Sequence, residues 1–242
     1  MIDKYSSEDA IILRPGTKIF LKRILSYNLD MSKILEEPKF SFLKSDEKKG
    51  RYVAIEGIDG SGKTTIAEKV CNLLMQGGKR CILVREPWTL EIKKLLENNP
   101  KIDPVVEAFL FATDRMILNY NVISNALKED TYVISDRCYL SSLVYQYIRG
   151  AEESIIFALN SLIIKPDAIF LLDVSVETGL KRLMEKKKRE LTHLEGFEFL
   201  KKVKERYLEI SNTLKDQKIF KIDGEAKPEE ISEAIFNKII AL

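Results

Sequence analysis

One stretch limits what this chain can fold into more than any other: Arg51-Tyr52-Val53-Ala54-Ile55-Glu56-Gly57-Ile58-Asp59-Gly60-Ser61-Gly62-Lys63-Thr64-Thr65. An apolar run ends at Gly57, and from there the spacing G-x-x-x-x-G-K-[ST] is complete through Gly62, Lys63 and Thr64, leading into a helix-like segment Thr65 to Gln76. A glycine-rich loop alone is often only a turn, but here both flanks have the required strand and helix character. Glycines let successive backbone N–H groups turn inward on a polyphosphate, and the helix that follows adds the positive end of its dipole. Gly57, Ile58, Asp59, Gly60, Ser61, Gly62, Lys63, Thr64 and Thr65 therefore read as a nucleoside triphosphate site. Lys63 would meet the β and γ oxygens, and the Thr64 hydroxyl would ligate Mg2+.

After this loop, strand-like and helix-like segments alternate, the pattern of a parallel sheet covered on both faces. Strands are expected at Tyr52 onward, Arg80 to Val84, Tyr132 to Ser135, Ala168 to Leu172 and Lys218 to Ile222. Helices are expected over Leu90 to Glu97, Pro104 to about Lys128, Leu140 to Ile148, Glu152 to Ile163, Val176 to Lys188, Phe197 to Leu214 and Pro228 to Leu242. The fold class is therefore α/β: a P-loop NTPase-like three-layer fold with a central five-stranded parallel sheet flanked by helices. Residues 50–242 form this domain, and residues 1–49 precede it as an N-terminal extension outside the nucleotide-binding pattern. The extension reads as an arm packed on its own domain or on a second subunit, with a partner-docking or regulatory element as the alternative.

With 39 basic and 37 acidic residues the net charge is +2, so nothing demands nucleic acid or an anionic membrane as partner. No apolar run approaches the ~18–20 residues that cross a bilayer, and the start lacks a secretory pattern, so a cytoplasmic location is expected. The odd set Cys71, Cys81 and Cys138 lacks metal-ligand spacing and reads as reduced, mostly buried thiols.

In open parallel sheets ligands gather where the strands end. The first strand is followed by the P-loop, the second by Arg85-Glu86-Pro87, the third by Asp136-Arg137 and the fourth by Asp173. Two arginines and a carboxylate beside a triphosphate suit phosphoryl transfer to a second phosphorylated molecule. Arginine forks hold phosphate bidentately, and an aspartate near Thr64 can complete a magnesium shell. The bland alternative is a set of structural ion pairs at strand ends.

These residues carry a resemblance. Ile55 to Thr64 matches I-E-G-x-D-G-x-G-K-[ST], and Arg85-Glu86-Pro87 matches R-x-P. Phe109 to Arg115 loosely matches L-L-F-x-A-x-R, and Asp136 to Gln146 matches D-R-[YH]-x-x-S-x-x-A-Y-Q. Four elements in this order make the domain from about residue 51 to 242 similar to the thymidylate kinases, which phosphorylate dTMP with ATP. The resemblance implies that Phe111 stacks on thymine, that Arg115 reaches its carbonyl edge, and that Ser141, Ser142 and Gln146 lie nearby. It also implies that Arg85 and Arg137 grip the acceptor phosphate, that Tyr145 crowds the sugar 2′ position, that Asp59 sits between acceptor and metal, and that Thr64 and Asp136 hold Mg2+. A homodimer is implied too. From spacing alone, Phe111 reads as a core aromatic.

Departures from the family pattern are equally specific. Trp88 and Thr89 stand where the family has a Gly-Gly pair, and Cys138 where it has Tyr or His. One branch carries an arginine in the P-loop at the position of Gly60, so the compensating positive charge is expected elsewhere. Arg182, Lys186 and Arg189, at i, i+4 and i+7, share a helix face that would close over ATP as a catalytic lid, the alternative being a solvated charge run. Two readings compete with a dTMP kinase. One is a kinase of another nucleotide or deoxynucleoside, and the other a low-activity P-loop binding or regulatory protein.

Overall fold

A computed structural model describes residues 48–186 and 196–242, with the side chain of Lys186 excepted. The expectations for the arm fall outside these residues apart from Lys48 and Lys49, and so does Arg189. The strands β1 (Tyr52–Gly57), β2 (Arg80–Arg85), β3 (Thr131–Asp136), β4 (Ala168–Asp173) and β5 (Ile219–Asp223) form one parallel sheet in the order β2-β3-β1-β4-β5. The P-loop NTPase-like α/β reading is met, with each strand within a residue or two of its expected bounds.

Alternation along the strands divides the core in two. Val53 and Ile55 of β1, with Phe170 and Leu172 of β4, face Ile66, Val70 and Leu74 of α1 (Lys63–Gln76) and Ile231 and Ile235 of a C-terminal helix, Pro228–Ile240. Tyr52 and Ala54 of β1, with Ile169 and Leu171, point the other way. That opposite face is covered by α3 (Pro104–Leu118), α4 (Ser124–Lys128), α5 (Tyr139–Ile148), α6 (Glu153–Leu159), α7 (Val176–Lys186) and α8 (Phe197–Thr213), and the C-terminal helix is α9. A short α2 (Leu90–Asn98) follows β2. Both faces of each central strand are thus apolar, which is why the strands read as nearly continuous hydrophobic runs.

Local chemistry sets the helix ends. Asp103 caps α3, its side chain accepting from the Val105 N–H at 2.9 Å, and Pro104 occupies the first helical position, where no N–H is needed. The single helix expected from Pro104 to Lys128 is interrupted by a π turn, Asn119–Ile123. There the Asn119 amide donates to Arg115 O at 2.9 Å and accepts from the Ile164 N–H at 2.6 Å, which ties the widened turn to the segment before β4. Helix α6 stops four residues short of expectation, because Asn160 turns its amide back onto Ile156 O at 2.7 Å.

One expectation is overturned. Cys71 on α1 and Cys81 on β2 form a disulfide, with their Cα atoms 5.7 Å apart, and are not reduced thiols. The pair meets because α1 packs back across the strand that follows it, a relation that spacing along the chain does not reveal. Cys138 is free and buried.

Candidate active site

The P-loop follows β1, the central strand. Gly57, Gly60 and Gly62 have φ of +147°, +81° and +96°, the region where a side chain is strained. At Gly60 a Cβ would also stand 2.1 Å from the Gly179 carbonyl oxygen on α7. The absence of an arginine from this position therefore has a packing cause, since loop and helix touch backbone to backbone. Gly62 is the N-cap of α1 and has no side chain to close it, so the helix presents its first N–H groups and positive end to the loop.

Lys63 curls over the same loop and donates to Gly57 O at 2.9 Å and Ile58 O at 2.8 Å. Burial, and after it the neighbouring Arg137, bring its pKa down from 10.5 to about 8, while Asp59, Asp136 and Glu56 pull the other way. Beside it lie the strand-end residues, aligned by sheet register, since Asp136 of β3 pairs with both Ile55 of β1 and Arg85 of β2. The Thr64 hydroxyl donates to Asp136 Oδ2 at 2.6 Å and accepts from Arg85 Nη2 at 2.7 Å. Arg85 Nη2 is also 3.0 Å from Asp136 Oδ2, and the rest of this side chain is largely exposed. Asp136 Oδ1 is buried and has no partner among the described residues.

Arg137 holds a left-handed conformation, φ +81°, which is unusual for a long side chain and is found where surrounding contacts over-determine the backbone. Its guanidinium pairs with Asp59, donates to Ser141 Oγ at 3.2 Å and lies 5.2 Å from the centre of the Tyr145 ring. Thus Asp59, Lys63, Thr64, Arg85, Asp136, Arg137, Ser141 and Tyr145 converge on one rim, and the Tyr145 hydroxyl is buried without a partner among the described residues. Burial, foremost, raises the Tyr145 pKa, so it stays a neutral donor.

Arg115 has a different setting. It is 1% exposed, with Nε 3.0 and 2.9 Å from the two Glu86 carboxylate oxygens, Nη2 3.2 Å from Ser142 Oγ and Nη1 on Asn160. Its guanidinium is thus engaged from several sides, and Phe111, one turn earlier on α3, is half-buried. Gln146 donates to Glu107 Oε2 at 2.9 Å. The Trp88–Thr89 departure also has an explanation. The buried Asp114 carboxylate accepts from the Trp88 N–H at 2.6 Å, from the Thr89 N–H at 2.7 Å and from the Thr89 hydroxyl, so a side chain anchors this loop. Arg182 of α7 reaches Gly224 O at 3.4 Å and Ser61 O at 3.5 Å, bridging the P-loop and the loop after β5.

Glu56, Glu86, Glu107, Asp114, Asn160 and Tyr207 are parts of this region that the sequence did not single out. Glu56 left a signal, a carboxylate inside an apolar strand, and so did Asp114 beside Arg115. Asn160 and Tyr207 left none, because only the folded chain brings them near. The Cys138 thiol is pushed up by burial and then by Glu56 and Glu86, which leaves it inert as a nucleophile.

A parallel sheet with a P-loop after its central strand, and arginines where β2 and β3 end on the same side of it, defines a P-loop kinase. The thymidylate kinase family model matches residues 55–235. A probable thymidylate kinase of Sulfurisphaera tokodaii is 34% identical over 192 residues, 79% of this chain and 97% of that protein. The thymidylate kinase of Caldicellulosiruptor saccharolyticus is 37% identical over 196 residues, 77% of this chain and 94% of that protein. That of Buchnera aphidicola is 36% identical over 207 residues, 80% and 96% of the two chains. This chain belongs to the thymidylate kinase family and is an ATP-dependent nucleoside monophosphate kinase.

Proposed function

We infer that the protein transfers the γ-phosphoryl group of ATP to dTMP, giving dTDP and ADP for dTTP synthesis. The observation that carries this reading is the meeting of Arg85 and Arg137 with Thr64 and Asp59 at the rim of the P-loop. Two guanidiniums beside a triphosphate cradle suit an acceptor that brings its own phosphate. In this reading Arg85 and Arg137 exchange their present carboxylate partners for phosphate oxygens, which leaves Asp59 and Asp136 to face acceptor and metal. Lys63 turns from the loop carbonyls to the β and γ oxygens.

Mg2+ fits these residues. Thr64 Oγ1 and Asp136 are hard oxygen donors in contact, and the orphaned, buried Asp136 Oδ1 is the kind of atom a cation or its water shell would satisfy. When bound, the ion neutralises charge on the phosphate oxygens. The side chains supply alignment and compensating charge, and no covalent intermediate on the protein is needed. Arg182 joins them from α7 as the described part of the proposed lid; Arg189 and the Lys186 side chain lie outside the described residues.

Phe111 is the platform for the base in this reading, with Arg115, Ser142 and Gln146 beneath it as a preset hydrogen-bonding floor. Tyr145 stands at the sugar edge, where its unpartnered hydroxyl favours deoxyribose. Leu90, Phe109 and Tyr120 are 55%, 52% and 55% exposed along α2, α3 and the π turn, apolar side chains of the kind a homodimer contact would cover. No helix among the described residues is long and apolar enough to cross a membrane, in keeping with action in the cytoplasm.

The test is ADP formation from MgATP with dTMP, dUMP, the ribose analogue of dTMP, dGMP, dCMP and thymidine, for the full chain and for one lacking residues 1–47. The expected result is that dTMP leads in both. A different leading monophosphate would overturn the base contacts and keep the chemistry, and no turnover with any acceptor would overturn the reading.

A further inference from the structure

The loop that carries Arg137 has no cap of its own. Helix α5 begins at Tyr139 with Cys138 as its N-cap, and no side chain of that residue closes the helix end. Yet the segment is tightly held, because a carboxylate from another element takes its place. Glu56, next to last in β1 and 0% exposed, has one oxygen 2.8 Å from the Cys138 N–H and 3.1 Å from the Ser141 N–H. The Ser141 hydroxyl lies 3.0 and 2.9 Å from its two oxygens, and the Tyr207 hydroxyl of α8 donates to the second at 2.8 Å. A carboxylate at a helix N-terminus is favoured by the exposed N–H groups and by the dipole. Here the acid is supplied across the sheet and not by the helix itself.

We propose that Glu56 is the positioning residue for Arg137. It holds the backbone on the C-terminal side of Arg137 through Cys138 and Ser141, while the Arg137 N–H is held on β1 itself, donating to Ile55 O at 3.1 Å. The strained φ of +81° lies between these two anchors, and the Ser141 oxygen that Glu56 orients is the one that accepts from Arg137 Nη1 at 3.2 Å. Residues 55 and 56 of the central strand therefore aim the guanidinium at the space above the P-loop. Glu56 itself touches neither substrate. This proposal rests on the reading of Arg137 as a ligand of the acceptor phosphate.

The test is steady-state kinetics on the full chain for wild type, Glu56→Gln, Arg137→Ala, the double variant and Tyr207→Phe. Glutamine keeps the size of the side chain and one acceptor oxygen but removes the charge that orders the cap. Glu56→Gln is expected to raise KM for dTMP about tenfold or more, with KM for ATP changed less than about threefold. In the Arg137→Ala background the same substitution is expected to add almost nothing to KM for dTMP, because the residue it positions is gone. A merely structural role predicts additive losses and both KM values moving together, and either result overturns the proposal. Should Glu56→Gln fail to fold, Tyr207→Phe decides: a rise of about threefold in KM for dTMP alone supports the proposal, and none overturns it. If Arg137→Ala leaves KM for dTMP unchanged, the phosphate-gripping role itself fails, and this proposal with it. If only Glu56→Gln is without effect, Arg137 keeps its role and Glu56 loses the one proposed.

Discussion

Lys63 is the residue whose chemistry depends most on where the fold puts it. Burial first and Arg137 second lower its pKa to about 8. In the proposed ATP site it is the charged form that would meet phosphate, so affinity for ATP should fall as pH rises through about 8, by up to about tenfold per pH unit. KM for ATP between pH 7 and 9.5 checks this, and a flat profile would contradict it. The effect on stability has the opposite sign. Between the depressed folded value and the ordinary value of 10.5, the unfolded chain binds a proton that the folded one has released. Without ligand, stability therefore rises with pH across that window. At this same scale the sequence was legible for Lys63, Thr64 and Asp136, whose spacing is itself the chemistry. It singled out Arg115 by its motif but not the partners Glu86, Ser142 and Asn160, which come from three separate parts of the chain.

At the scale of elements, contacts between neighbours carry information that no single segment holds. Gly60 and Gly179 let the P-loop and α7 meet backbone to backbone. Gly60→Ala should destabilise the protein by about 1–3 kcal/mol, from backbone strain and from displacement of α7, and should weaken ATP binding as well. Urea denaturation and nucleotide titration measure the two, and an unchanged midpoint would show that the loop can yield. The Cys71–Cys81 disulfide similarly fastens the P-loop helix to β2, the strand that ends in Arg85. Closing so short a loop of chain is worth about 2–3 kcal/mol, so reduction, or Cys81→Ser, should lower the unfolding free energy by that amount and bring the denaturation midpoint down with it. Comparing the protein with and without reductant checks it, and identical midpoints would dispose of the cross-link as a stabilising feature. Sequence periodicity located nearly all these elements because their apolar faces repeat at strand or helix spacing. It missed the π turn and the early end of α6, where Asn119 accepts from the Ile164 N–H and Asn160 bonds both Ile156 O and Arg115.

On the scale of the whole molecule, the exposed Phe109 and Tyr120 are the side chains that look beyond one chain in the proposed dimer. Phe109 and Tyr120 are eleven residues apart, three helical turns, and so share a side. Phe109→Glu should weaken the proposed homodimer by roughly 2 kcal/mol per subunit, about thirtyfold in dissociation constant for each. Light scattering over a dilution series reads this directly, and an unaltered mass at every concentration would remove that face from any dimer. The sequence by itself determined the α/β class, the position of the P-loop and the strand ends at which chemistry collects, because each of these is written in local spacing and in the alternation of apolar residues. Tertiary structure alone decided that Glu56 caps a helix it does not belong to, that Asp114 builds the loop of Trp88 and Thr89, and that Cys71 meets Cys81. Each of these is a contact between residues far apart in the chain or on different elements, and a buried polar group takes whichever partner the completed packing leaves within hydrogen-bonding reach.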